Sequence, residues 1–330
     1  MKPHRSHQYE TTAQQWGVHW LGPVVVATLL GAMMHLAARN SALPAPRPTL
    51  DVDRGVMVHQ IEASRSPHNT KVILIGDSSC LMNVDANVMK QRTGNSTLNL
   101  GTLSFLNLEC FSQLLRQSLE SAATPPNVIV LLVHPEFVRR KSPSTHHVGA
   151  FKAVQNGFDY YYGTSPRTDP RWWLGAHIVE NRLLARLPIP LTGAFREYYG
   201  FSTELLSFMT QHKGSAVDPR ELNATDLRGS SDYRVAERHQ REAKFFNQII
   251  PPSTQLFIGL SPIPSSFPEA PFQGHYDRLL EEWSTLFPKG IPLKQLPATL
   301  DDSEFATKTH LRPSAVPPYT DTLGRLLSVE

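Results

Sequence analysis

Asp77, Ser78 and Ser79 follow directly on the apolar run Val72–Ile75 and Gly76. A short Val/Ile-rich run ended by Gly reads as a buried strand of a parallel sheet. A small hydroxyl residue leaving the carboxyl end of such a strand stands where open α/β sheets place their ligands. Ser78 is therefore a candidate nucleophile, and a serine hydroxyl works only with a base in hydrogen-bond reach. The competing reading is that Asp77, Ser78 and Ser79 cap the helix that follows. Four residues are too short a motif to separate the two. Other chemistries find less support. Cys80 and Cys110 form no CxxC and fall in core-like stretches, which predicts two buried thiols. His146 and His147 sit in a polar stretch without an acid at ligand spacing, so no metal is expected. No Gly-rich phosphate loop follows the first apolar run, so no cofactor is expected and a flavodoxin-like cofactor binder is disfavoured.

The elements that would position Ser78 alternate along the chain. Strands are predicted over Thr97–Ser104, Asn127–Val133, Thr254–Pro264 and Ile291–Leu296. Between them, Val84–Gly94 reads as a helix with Asp85 as N-cap and Gly94 as stop. The stretch 105–122 is amphipathic, with Leu108, Phe111, Leu115 and Leu119 on one face. Further helices are predicted over Asp232–Ile250, His275–Phe287 and Val316–Leu327, and a short helix or loop over Gly55–Thr70. Strands alternating with helices predict an α/β fold: three layers, α/β/α, around a mainly parallel, roughly five-stranded, flavodoxin-like sheet. The pattern lapses from Arg139 to Ser231. That stretch holds Tyr160, Tyr161, Tyr162, Trp172 and Trp173, a helical pattern near Gly175–Leu187, and Tyr198-Tyr199. It reads as an insertion over the strand ends, its aromatics either lining a groove or packing a subdomain.

The chain has 330 residues, 40% of them apolar, and a net charge of +3. That is enough apolar content for a full core, and without a Lys/Arg block nucleic acid is not an expected partner. Residues 1–15 form a polar tail. Trp16–Ala38 contains no Asp, Glu, Lys or Arg and is long enough to cross a bilayer as a helix. Trp16 and Trp20 suit an interfacial belt. Lys2 and Arg5 before the span balance Arg39 and Arg47 after it. A short amino-terminal tail suggests a signal anchor with its tail in the cytoplasm and the globular part outside. Residues 39–54 form a Pro-containing linker, and 55–330 the globular domain, with 139–231 as its insertion.

Three places then line up: Gly76-Asp77-Ser78-Ser79 after the first strand, Asn99-Leu100-Gly101 after the second, and Thr309-His310-Leu311 before the last helix. This order resembles the SGNH (GDSL-like) hydrolase superfamily over Lys71–Asn107, Asn127–Phe137 and Asp232 onward. With the span and the insertion, the chain looks most like membrane-anchored members that modify cell-envelope polymers, by polysaccharide O-acetylation or D-alanylation. The resemblance implies an esterase or O-acyltransferase, with Ser78 as nucleophile and His310 as general base. Backbone N–H groups of Ser78 and Gly101 would form the oxyanion hole. The implied partners are an acylated carbohydrate substrate and a membrane-bound acyltransferase. Two positions depart from the family pattern. Thr307 stands where the family has the acid that orients the histidine, which leaves Asp301, Asp302, Glu304 or a backbone carbonyl for that task. The family's oxyanion Asn is replaced within Val133-His134-Pro135-Glu136, where His134 could donate a ring N–H and ionised Glu136 could not. These departures keep an inactive scaffold, binding polysaccharide or an acyltransferase, as the alternative.

Overall fold

A computed structural model describes residues 13–39, 52–142, 147–156, 205–218, 232–268 and 272–327. Five parallel strands form the sheet in the order β2-β1-β3-β4-β6. They are β1 Val72–Gly76, β2 Thr97–Asn99, β3 Val128–Val133, β4 Gln255–Leu260 and β6 Gly290–Pro292. Every residue of β1 and β3 is buried, which explains why both read as unbroken apolar runs: helices cover both faces. Side chains alternate between the two faces. Ile73, Ile75, Ile129, Leu131 and Ile258 enter one core, and Val72, Leu74, Val130, Leu132 and Phe257 the other.

The first core is closed by α2 (Val52–Arg65), α5 (Leu108–Ser121), α9 (Arg238–Ile249) and α10 (Gln273–Thr285). The second is closed by α3 (Ser78–Asn83), α4 (Ala86–Thr93) and α11 (Val316–Leu327). Each apolar side chain buried this way contributes roughly 1.5–3 kcal/mol. Asp85 caps α4 through its carboxylate, and Gly94 ends it at φ 72°, as the sequence predicts. Gly76 is the point of closest approach between β1 and β3: a Cβ there would lie 1.8 Å from the carbonyl oxygen of Leu132. Cys80 and Cys110 are buried, unpaired thiols.

Some boundaries move. β2 stops at Asn99 rather than reaching Ser104, because the Asn99 side chain takes the N–H of Gly101. The predicted fifth strand shrinks to Gly290–Pro292. A separate two-stranded ladder, β5 (Ile263–Pro264) with β7 (Thr299–Leu300), holds the approach to the carboxyl-terminal segment.

Parts of the predicted insertion belong to this frame. α6 (Pro135–Arg139) follows β3, α7 (His147–Asn156) packs on α5, and a helix over residues 205–211, α8, sends Leu205 and Met209 into the first core. The aromatic cluster Tyr160–Tyr162 with Trp172 and Trp173, and the helical pattern near Gly175–Leu187, lie outside the described residues. At the amino terminus α1 (Ala13–Arg39) is one continuous helix with Pro23 inside it. Its segment His19–Ala37 has a mean hydropathy of 1.7 and none of it is buried, and it is long and apolar enough to cross a membrane.

Candidate active site

In the turn after β1 the capping contacts fall on Asp77 and Ser79 and not on Ser78. Asp77 is the N-cap of α3. Its Oδ1 accepts from Ser79 N at 3.0 Å and from Ser79 Oγ at 2.6 Å. Its Oδ2 accepts from His134 N at 3.1 Å, tying the end of β3 to the end of β1. Burial pushes the Asp77 carboxyl up from its ordinary range, and these hydrogen bonds oppose the shift. Asp77 and Ser79 do the capping, which leaves the Ser78 hydroxyl for another partner. That partner is His310, whose Nε2 lies 3.0 Å from Ser78 Oγ.

His310 stands on a turn held from both sides. Thr307 Oγ1 accepts from His310 N at 3.1 Å, and Ala306 N donates to the carbonyl of His310 at 2.9 Å. Asn83, the last residue of α3, donates to the carbonyl of Thr309 at 3.1 Å and accepts from Leu311 N at 2.9 Å. One short helix therefore carries the serine at its first residue and clamps the histidine loop with its last.

The acid facing His310 is none of those the sequence suggested. Asp301 caps the 3₁₀ turn Asp302–Glu304 through Ser303, and Glu304 reaches back to Asp301 N at 3.2 Å. Asp302 accepts from Ser266 N at 3.0 Å and Ser265 Oγ at 3.2 Å. All three carboxylates are thus spent on their own turn and the adjoining loop. His310 Nδ1 instead lies 3.4 Å from Oδ2 of Asp218, which is fully buried. Thr307 turns its hydroxyl onto the local backbone, where it accepts from Thr309 N and His310 N.

Asp218 arrives on a strap, residues 213–218, threaded between β2 and the α3–α4 junction. Asn99 N donates to Lys213 O at 2.9 Å, and Ala216 N to Leu81 O at 2.8 Å. Ala86 N donates to Ser215 Oγ at 2.9 Å. The turn into the strap uses positive φ at Lys213 (54°) and Gly214 (90°). A Cβ at Gly214 would lie 2.0 Å from the carbonyl oxygen of Asn99, so only Gly fits there. Asn99 is the hub: its Nδ2 donates to the carbonyls of Cys80 and Val84 and to Ser215 Oγ at 2.9–3.1 Å. Gln60 Nε2, from α2, donates to the carbonyls of Gly101 and Gly214. Asp218, Asn83 and Gln60 carry no signal of a site in the sequence, and Asn99 enters there only as the start of Asn99-Leu100-Gly101; the Gly-Ser turn before Asp218 is a local signal of the strap.

Of the three donors expected for an oxyanion, Ser78, Gly101 and His134, the structure engages one elsewhere. Ser78 is the first residue of α3, where a backbone N–H has no partner within the helix. The Gly101 N–H is already donated to Asn99 Oδ1 at 2.8 Å, so Gly101 does not offer the donor expected of it. Gly is required there for a different reason: a Cβ would lie 2.4 Å from Leu81 N. His134, by contrast, has a ring N–H in hand. It is the N-cap of α6, and its Nδ1 accepts from Glu136 N at 3.1 Å, which puts the ring hydrogen on Nε2. That Nε2 is buried and has no partner among the described residues. Burial, then the nearby His310 and Arg139, push the His134 pKa down to about 3, so the ring is a neutral donor. Glu136 turns away to pair with Arg139 at 2.6 Å. Among the described residues, no cluster of His, Cys, Asp and Glu is arranged to hold a metal ion.

No protein-family model matches the chain, and no curated protein does. A solved structure titled "The structure of a putative platelet activating factor from Streptococcus pneumonia" is similar at 10% identity and a TM-score of 0.35, over 92% of this chain and 99% of that one. A likeness at that level carries no argument about activity.

Proposed function

We propose that this chain is an SGNH-type acyl-ester enzyme, an esterase or O-acyltransferase that works through an acyl-serine intermediate. The observation that carries the proposal is the relay Ser78 Oγ–His310 Nε2 at 3.0 Å and His310 Nδ1–Asp218 Oδ2 at 3.4 Å. Ser78 Oγ attacks an ester carbonyl while its proton passes to His310 Nε2. Asp218 orients the ring through the Nδ1 hydrogen and stabilises the imidazolium that forms. The oxyanion accepts from Ser78 N–H and from His134 Nε2–H. Collapse expels the alcohol, which takes the proton from His310. Water, or a sugar hydroxyl, is then deprotonated by His310 and attacks the acyl-serine, freeing Ser78.

The apolar α1 supports a membrane anchor. We place the substrate among acylated carbohydrates of the cell envelope, with a membrane-bound acyltransferase as partner. The engaged Gly101 amide favours a second reading, a scaffold that binds polysaccharide or an acyltransferase without turnover. Treating the full chain in detergent with a fluorophosphonate probe, then locating the adduct by mass spectrometry, separates the two. The enzyme reading expects one adduct, on Ser78, absent in Ser78→Ala and His310→Ala. A folded sample that stays unlabelled at high probe concentration supports the scaffold.

A further inference from the structure

The surface next to the candidate site carries charge that acyl transfer to and from Ser78 does not use. A groove of about 850 Å³ is lined by Arg139, Lys141, Arg234, Arg238, Arg241 and Lys244, with Glu237 as the acid among its lining residues. Three of these cations have a carboxylate: Arg139 has Glu136 at 2.6 Å, Arg234 has Asp232 at 3.3 Å, and Arg238 has Glu242 at 3.6 Å. Lys141, Arg241 and Lys244 are exposed and have no ion pair among the described residues. Arg241 and Lys244 are three apart on α9 and so share a face. Behind them the Arg238 side chain is only 8% exposed, and its guanidinium nitrogens are buried without a hydrogen bond. Six cations against the four acids Glu136, Asp232, Glu237 and Glu242 leave the groove net positive, which attracts anions.

The groove adjoins the candidate site through α6. His134 is the N-cap of that five-residue helix and Arg139 its last residue, a separation of about 8 Å at 1.5 Å per residue. Tyr233 bridges the two ends: its ring lies edge-on to His134 at 6.4 Å and carries Arg139 over its face at 5.4 Å. Ala236 N donates to Val138 O at 3.0 Å, joining the groove's two walls.

We propose that this groove binds an anionic carbohydrate chain, bearing carboxylate or sulfate-like groups, and leads it to Ser78. The proposal rests on the acyl-ester reading for what happens at Ser78, and on charge and shape alone for binding. The volume falls in the range of built ligand sites. Binding a single-stranded nucleic acid calls for aromatic platforms, and among the described residues no aromatic ring lines the groove. A lipid headgroup surface is flat and would meet a protruding basic face rather than a concave one.

The test uses the full chain in detergent and labelled oligogalacturonate and dextran sulfate, with neutral dextran, a single-stranded oligonucleotide and phosphatidylglycerol vesicles as competing probes. Binding is followed by anisotropy across a salt series. At least one anionic glycan binds, neutral dextran does not, and binding weakens as salt rises. The triple variant Lys141→Glu, Arg241→Glu, Lys244→Glu loses about tenfold or more, through charge repulsion, while its thermal midpoint stays at the parent value. The proposal is overturned if neither anionic glycan binds at low salt, if the triple variant binds as the parent does, or if the oligonucleotide or the vesicles bind more tightly than both glycans. Glycan binding by a parent chain that shows no fluorophosphonate labelling sinks the acyl-ester reading and leaves the groove as a binding site. Labelling without glycan binding sinks the groove alone.

Discussion

Asp218→Asn removes a charge and leaves the shape of the side chain nearly unchanged, which makes it the sharpest test of the relay. When Ser78 loses its proton, His310 becomes an imidazolium 3.4 Å from the Asp218 carboxylate. With an effective dielectric constant of about 20, that attraction is worth about 5 kcal/mol. At about 1.4 kcal/mol per decade, its loss slows attack by roughly 10³–10⁴, in line with the fall of about 10⁴ known for a serine-protease relay that loses its acid. The 3.4 Å separation is long for a charge-assisted hydrogen bond, which favours the lower end. The assay is the second-order rate of fluorophosphonate labelling, measured on Asp218→Asn, Asp301→Asn and Asp302→Asn side by side, with the thermal midpoint of each. Asp218→Asn labels roughly 10³-fold or more slowly, and the other two stay within about threefold of the parent. A folded Asp218→Asn that labels at the parental rate refutes the reasoning. So does an Asp302→Asn variant that fails as badly.

Other predictions concern the surroundings of that relay. His134→Leu removes the oxyanion donor and lowers kcat on a model ester by about 10²–10³, with smaller change in KM, and His134→Asn recovers part of the loss. Because burial holds the folded His134 pKa near 3, below the roughly 6.5 of an unfolded imidazole, the unfolded chain takes up the proton first on acidification. His134 therefore withdraws stability between about pH 6.5 and pH 3, and His134→Asn, measured by denaturant midpoints, shows a shallower decline across that window than the parent. Gly101→Ala forces a Cβ to 2.4 Å from Leu81 N and destabilises by about 1–3 kcal/mol or more; a midpoint equal to the parent's would contradict the packing described here.

The parts of the site that could be read in the sequence are those whose partners lie close in the chain or in a strand pattern. Val72–Gly76 is apolar because both faces of β1 are covered, and Ser78 follows from where that strand ends. His310 was reached through the order of three short motifs. Asp218 was not legible, because it sits 92 residues before His310 in a stretch without periodicity. Only the docking of the strap on Asn99, Leu81 and Ala86 puts it beneath the imidazole. The same blindness assigned Gly101 its role. A Gly after a strand can serve an oxyanion or a tight contact, and the deciding group is the side chain of Asn99, two residues earlier in sequence but turned back onto the loop. His134 was legible as a possible donor by residue type, and its tautomer became readable only with the Glu136 amide in place.

The strap has a consequence for how such a site switches off. Ser78 and His310 are tied to one another through α3, whose last residue, Asn83, holds the His310 loop. The acid comes from a different stretch, held by backbone bonds at Lys213 and Ala216 and by bonds through the side chains of Gln60, Asn99 and Ser215, and entered through a left-handed lysine at φ 54°, a conformation uncommon for a residue with a side chain. Where residues 213–218 open while the sheet stays folded, that opening has a free energy of its own. Each such opening strips the relay of its charge and leaves a bare serine–histidine pair. In the enzyme we propose, turnover then reports the closed fraction of the strap, and amide exchange at Asn99 and Ala216 measures the same equilibrium without any substrate.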